Sequence, residues 1–342
     1  MPKKKSSRKK ARNQREIDNR RDWHALLQCI TVIAQMDPWD MLAEDDTCAC
    51  LTADGSQMIF FSCVKDDEQG LIVFPSVREY RRASVEPGST AEELRNFIES
   101  ENYTVFFTFQ DDVPPETRKF YERLSVDFGE GLWPWIFHKR RGDLGALLAK
   151  EDAHFMLDCL GNFCMMLKAL QKFDRKPDAA AGEMLVRYYS EKDDLWLNRI
   201  APASLLPEPE FPRYVVKENS PAFRHLKELP VSADHPKMEF DFGWVTAPGQ
   251  DAPDFRLLAV VTDRETGEVL NYYDCRPDDA PECIFLTVAE AWEEYGLPRT
   301  LYICRDDSES YFIDLVQHLG LKLKRVKRLP AAARFLREMD AI

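Results

Sequence analysis

Glycine is scarce in this chain, 14 of 342 residues, and none of it forms the glycine-rich loops that cradle phosphates in P-loop or dinucleotide-binding proteins. Six histidines, at 24, 138, 154, 225, 235 and 318, never form an HExxH pair, which removes the zinc hydrolases built on that motif. Nine cysteines are an odd number without CxxC spacing, so neither a disulfide framework nor a zinc ribbon is expected. Cys48 and Cys50 share one face of a strand, and Cys159 and Cys164 lie near each other on a helix. Both spacings read as reduced, packed thiols in a cytoplasmic protein. No apolar run reaches the roughly 18 residues of a membrane helix. The first apolar stretch begins at Leu26, is broken by Gln28 and lacks a small-residue cleavage site, unlike a signal peptide. No repeat at solenoid periods is visible.

What is present is a chain of two-domain length with 44% hydrophobic and 31% charged residues, an ordinary globular balance. Charge is spread unevenly. Residues 1–21 carry ten lysines and arginines against two acids, a balance of +8, so the remainder carries −21 of the total −13. Such a segment reads as a disordered, solubilising tail or as an arm for nucleic acid, with Lys3, Lys4, Lys5, Arg8, Lys9 and Lys10 as its candidate phosphate contacts.

From there to 199 the pattern predicts an α+β domain over 22–199. Trp23, Leu26, Leu27, Ile30 and Ile33 make one helical stripe that ends at Asp37 and Pro38. Strands are predicted at 47–52, 58–64, 71–74, 103–109, 133–138, 184–189 and 195–200. Helices are predicted at 77–83, 90–99, 115–124 and 150–173, the last closing the core. Trp133, Pro134 and Trp135 suit either core packing or a partner surface. Residues 200–236 hold seven prolines and read as an extended linker with a short strand at 213–217.

The last segment, 237–342, shows the clearest order. Strands at 238–246, 255–262 and 268–274 precede a helix at 285–295, a strand at 300–304, a helix at 308–319, a strand at 321–326 and a helix at 330–339. Three antiparallel strands feeding a β-α-β unit resemble the ribonuclease H-like arrangement, so the fold class expected is an N-terminal α+β domain followed by a mixed-sheet, ribonuclease H-like α/β domain. Through LLAVVTDRETGEVL and LPRTLYICRDDSESYFIDLVQHLGLKL the C-terminal half resembles a bacterial domain of unknown function. Through Pro38, Trp39 and FHKRRGDLGALLAKEDAHFML the N-terminal half resembles another. That resemblance implies a two-domain cytoplasmic protein and carries over no catalytic residue.

The same segments are more distantly similar to integrase-type transposase cores. In that comparison Asp241 stands at the first metal-binding position, Asp306 or Asp307 at the second, and Glu290 or Glu338 supplies a third acid from a helix. Such enzymes gather carboxylates because two divalent ions must be held together, which would bring in magnesium or manganese. Each acid also has a structural reading. Asp306 and Asp307 precede a helix and suit capping, Asp241 suits a solvated outward sheet position, and Asp263 suits a turn. Cys304 in an apolar strand reads as packing. The basic run Lys322, Lys324, Arg325, Lys327 and Arg328 suits an edge strand protected against aggregation or a nucleic-acid patch. The resulting expectation is a non-catalytic binding protein with no cofactor, no membrane association and an unknown partner, either a protein or nucleic acid held by the tail. A metal-dependent nuclease or strand-transfer relative, and an RNA- or ribosome-associated accessory protein, are the alternatives.

Overall fold

The computed structural model describes residues 20–43, 46–65, 69–84, 90–143, 145–173, 175–211, 213–247 and 255–342. The tail candidates Lys3, Lys4, Lys5, Arg8, Lys9 and Lys10 lie outside the described residues. The chain divides into two units, one formed by Met1–Ser84, Glu101–Arg140 and Gly145–Pro209, the other by Val85–Ser100, Arg141–Leu144 and Glu210–Ile342. The N-terminal domain expected over 22–199 is thus not one uninterrupted segment. Two excursions from it build the second unit.

In the first unit the predicted stripe of Trp23, Leu26, Leu27, Ile30 and Ile33 is buried on α1 (20–35). The helix stops where expected. Asp37 turns left-handed at φ 51°, a conformation short polar residues tolerate, and Pro38 opens the short α2 (Pro38–Met41). Next come β1 (Thr47–Leu51), β2 (Met58–Val64), β3 (Gln69–Phe74), α3 (Val77–Ser84), β4 (Asn102–Thr108), α5 (Pro115–Leu124), β5 (Trp133–Lys139) and β6 (Ala146–Leu147). They are followed by the long α6 (Lys150–Leu170), β7 (Glu183–Ser190) and β8 (Leu195–Pro202). Helix α4 (Thr90–Glu99) interrupts this order and belongs to the second unit.

The eight strands make one mixed sheet in the order β6-β5-β4-β3-β2-β1-β7-β8, antiparallel except for the parallel pair β1–β7. Its main core joins α1 and α6 to one face through residues such as Ile30, Phe163 and Leu167. Trp133 is part of that core, while Trp135 packs among Phe106 and Phe137, so the two tryptophans serve the fold. Cys48, Cys50 and Cys159 lie in the same core, and burial pushes the Cys50 thiol up to about 11. All nine cysteines are free.

The second unit contains α7 (Pro221–Glu228), β9 (Lys237–Thr246), β10 (Phe255–Asp263), β11 (Val269–Cys275), α8 (Ala280–Tyr295), β12 (Thr300–Ile303), α9 (Asp306–His318), β13 (Lys322–Arg325) and α10 (Pro330–Glu338). Its five-stranded sheet runs β11-β10-β9-β12-β13. β9, β10 and β11 are antiparallel, and β12 runs parallel to both β9 and β13. Met238, Phe240, Phe242 and Trp244 face the core that holds α8 and α9. Leu258, Val260 and Leu336 form a smaller core under α10 on the other face.

Several expectations change here. The linker over 200–236 is not wholly extended: α7 forms because Pro221 occupies its first turn, where a missing N–H leaves no bond unmade, and Ser220 Oγ accepts from Phe223 N–H at 3.2 Å. The strand expected at 213–217 does not form. Tyr214 N–H donates to the Ser310 carbonyl at 3.3 Å and Val216 N–H to the Asp314 carboxylate at 2.7 Å, so this segment runs along α9 instead of joining a sheet. Asp241 is not a solvated outward position, because α10 covers that face and leaves it 8% exposed. Beside it on β9, Glu239 is wholly buried. Its carboxylate accepts from Ala331 and Ala332 N–H at 3.0 and 3.2 Å, supplying from the sheet the cap that α10 lacks at Leu329. Asp263 makes the expected turn, accepting from Glu265 and Thr266 N–H. Among the described residues no helix is long and apolar enough to cross a membrane.

A charged cluster fastens α6 to the sheet of the first unit. The His138 ring contacts Glu101 at 3.0 Å through Nε2 and Asp152 at 3.1 Å through Nδ1. The hydrogen bond from His138 holds the Glu101 carboxyl below its ordinary range, against the effect of burial. A depressed carboxyl contributes stability above its unfolded pKa and loses it as pH falls through the folded value. Melting temperature is therefore expected to fall below about pH 4, and Glu101→Gln should flatten part of that acid limb in melts recorded across pH.

Candidate functional site

The candidate acids of the sequence are best judged from Asp241, at the middle of β9. Alternation along the strand turns it away from Phe240 and Phe242, and β9 lies between β10 and β12. Both of its carboxylate oxygens are engaged. Oδ1 accepts from Phe242 N–H at 2.9 Å and from Arg305 Nε at 3.1 Å, and Oδ2 faces Cys304 Sγ at 3.6 Å. Cys304 packs against the smaller core as expected, and burial and the neighbouring Asp241 charge push its thiol up to about 11.

Arg305 follows β12 directly and carries the arrangement further. Its Nη1 donates to Glu99 Oε1 at 2.8 Å, and its guanidinium lies 4.4 Å from the Phe242 ring centre. Glu99 ends α4 and also accepts from Trp244 Nε1 at 3.2 Å. Arg141 reaches Glu99 at 4.0 Å and Asp307 at 2.9 Å while standing over Phe242 and Trp244. The result is an alternating chain, Asp241, Arg305, Glu99, Arg141, Asp307. Burial works against the charge on both arginines. The acids more than offset it, Asp241 and Glu99 for Arg305, and Glu99 and Asp307 for Arg141, so each guanidinium holds its proton more tightly than usual. Arg95 on α4 has the opposite balance: burial and the nearby Arg305 lower its proton affinity.

Two close backbone approaches hold this chain in place. Gly142 follows Arg141 at φ +73° and donates to the Ile98 carbonyl at 2.8 Å, and a Cβ there would overlap the Pro277 ring and stand 2.9 Å from Trp244. Gly243 lets Ala341 and Ile342 lie against β9, where Ile342 exchanges both backbone hydrogen bonds with Trp244 at 3.1 and 2.9 Å. The carboxyl-terminal part of β9 is therefore covered by protein.

The other candidates lie apart from Asp241. Asp307 is linked to it through the intervening cations. Asp306 pairs with Arg325 on β13. Neither aspartate caps α9, since the N-cap is Arg305 and both sit in the first turn, where they still favour the helix dipole. Glu290, on the exposed side of α8, accepts from the Tyr273 hydroxyl at 2.7 Å. Glu338 is exposed at the end of α10. Among the described residues no group of three or more His, Cys, Asp or Glu could hold a metal ion. The sequence reading missed Glu99, Arg141 and Arg305. Only Arg305 carried a local signal, its place beside Asp306 in CRDDSESYF.

Removing the charge at Arg305 takes from buried Asp241 its ion-pair partner and from Glu99 the nearer of its two guanidinium partners. Arg305→Leu should lower unfolding stability by roughly 3–5 kcal/mol in urea titrations, whereas Asp306→Ala, whose partner Arg325 is exposed, should leave stability nearly unchanged. Gly142→Ala should also destabilise, by about 1–3 kcal/mol for the strained backbone alone.

No match to the curated proteins was found. Among solved structures the chain is similar to the Mos1 transposase paired-end complex with left transposon end, at 12% identity over 68% of this chain and 82% of that chain. The TM-score is 0.21, and a likeness so slight bears on neither fold nor function. Residues 23–187 match the model of a domain of unknown function (DUF7309), and residues 222–340 match that of a second domain of unknown function (DUF6930).

Proposed function

We propose that this chain is a non-catalytic binding protein of the cytoplasm, and that its second unit is a ribonuclease H-like module in which arginines neutralise the carboxylates. One observation carries the reading. Asp241, the acid a two-metal enzyme would need first, has both oxygens committed to Arg305, Phe242 N–H and Cys304. A pair of divalent ions needs carboxylate lone pairs converging on shared, accessible points. Here the lone pairs face N–H and S–H groups, and Arg305 occupies the position of a counter-charge to Asp241. The strand order, three antiparallel strands followed by two parallel ones beyond the first, supports the ribonuclease H-like comparison. Nine free thiols support a reducing compartment.

The metal-dependent alternative has less support, because Asp306, Glu290 and Glu338 each stand with a different partner or none near Asp241. Nucleic acid as a partner rests on the basic residues of 1–21, of which the described residues include only Arg20 and Arg21. Deleting 1–21 should sharply weaken polyanion binding at low salt, and unchanged binding would discard the arm.

Calorimetric titration of the full chain with manganese or magnesium is expected to give no stoichiometric uptake, and incubation of single- or double-stranded DNA or RNA with either ion no cleavage. Uptake or cleavage that disappears in Asp241→Ala would overturn the proposal.

A further inference from the structure

Strand β13 is the open edge of the five-stranded sheet. It pairs in parallel with β12 through Lys322 N–H to the Arg299 carbonyl at 3.1 Å, and just beyond the strand Val326 N–H bonds the Ile303 carbonyl at 2.9 Å. Residues of a strand alternate in the side to which they turn their N–H and C=O groups. Lys322, Lys324 and Val326 therefore face β12, and Leu323 and Arg325 turn theirs outward. Neither has a backbone partner on that side among the described residues. Lys322, Lys324 and Arg325 are exposed.

The side chains along this edge are cationic on both faces. Lys322 and Lys324 lie on the face of Tyr302, the Lys324 ammonium 5.7 Å from its ring centre. Arg325 on the other face is held by Asp306. Lys322, Lys324, Lys327 and Arg328 pair with no carboxylate among the described residues, in a chain whose formal charge is −13. Lysines on an edge commonly deter self-pairing, since two copies of β13 would set like charges against each other. The same charges favour a strand of opposite sign, so exclusion of self and selection of an acidic partner come from one feature.

We propose that β13 is a docking edge for an extended acidic peptide. The peptide adds as a sixth strand, exchanging main-chain hydrogen bonds with Leu323 and Arg325 and setting acidic side chains beside Lys322 and Lys324. Main-chain bonds supply affinity and the lysines supply selectivity. A nucleic acid would use the cations but has no need of the outward amides, which is why the open backbone favours a peptide. The inference does not depend on whether Asp241 is catalytic.

The test is fluorescence anisotropy of the full chain with a labelled peptide of about eight residues, a common strand length, alternating Glu and Val. Binding that weakens steeply with salt is expected. Lys322→Glu with Lys324→Glu should weaken it by about ten-fold or more. Leu323→Pro should do the same while keeping every cation, because an edge strand tolerates proline where its N–H faces solvent. Melting curves establish that each variant is folded. If Leu323→Pro fails to fold, the same peptide N-methylated at alternate residues should lose affinity for the unaltered chain. No binding of the peptide, or equal binding by Leu323→Pro and by the N-methylated peptide, would overturn the proposal. So would a single-stranded oligonucleotide of equal charge that displaces the peptide and binds regardless of Leu323→Pro, which would assign the edge to nucleic acid.

Discussion

A carboxylate that enters a protein interior must bring its counter-charge with it, and Asp241 sets that condition for the second unit. Stripping water from an ion costs several kcal/mol even after relaxation, so an ionised Asp241 under α10 persists only with Arg305 beside it. Arg305 in turn leaves water and needs a second acid, which Glu99 provides from α4. Glu99 draws in Arg141, and Arg141 meets Asp307. One buried charge thereby recruits residues from three distant parts of the chain. Glu99 and Arg141 stand in the excursions Val85–Ser100 and Arg141–Leu144 that belong to this unit.

The chemical character of arginine explains why such a chain closes on itself. A guanidinium stays charged across the accessible pH range and offers donors in a rigid plane, so one group can hold two acids in fixed directions. It also stacks on aromatic rings, and Phe242 and Trp244 supply them. A divalent ion would demand oxygen lone pairs aimed at one point and some accessible coordination position. Glu239 on the same strand is held by the amides that begin α10 and by Arg264 at 2.6 Å, although burial still raises its carboxyl above the ordinary range. Both acids of β9 thus tie neighbouring elements to the sheet.

The order of elements was legible because its signals are local. Alternation of Phe240, Phe242 and Trp244, the apolar run of β10, and positive-φ glycines at Gly267 and Gly320 each act within a few residues. Misreadings arose where a neighbour distant in sequence decides the outcome. Asp241 looks outward along its own strand and becomes buried only because α10 packs there. The proline count of 200–236 argued for an extended linker, while Pro221 stands at the one helical position that suits it. The acids of the site were legible as candidates because carboxylates are what metal chemistry requires. Their partners were not, since nothing near Glu99 or Arg141 in the sequence marks them as neighbours of Arg305.

The two edges of the second sheet bear on what β13 can meet. An edge that fitted the opposite edge of another copy would give a head-to-tail contact, which need not close and can extend into fibres. On β11, at the far side of the sheet, the exposed residues are Tyr272, Tyr273 and Asp274, and the single acid among them is paired with Arg256 at 2.6 Å. Tyr272 also lies against Phe335 of α10. The lysines of β13 therefore find no acidic stripe on β11, and β13 itself repels a second β13. Both routes to self-association through this edge are unfavourable, while its outward amides and carbonyls stay unpaired among the described residues. An edge closed to its own kind in this way is left selective for a foreign strand of opposite charge.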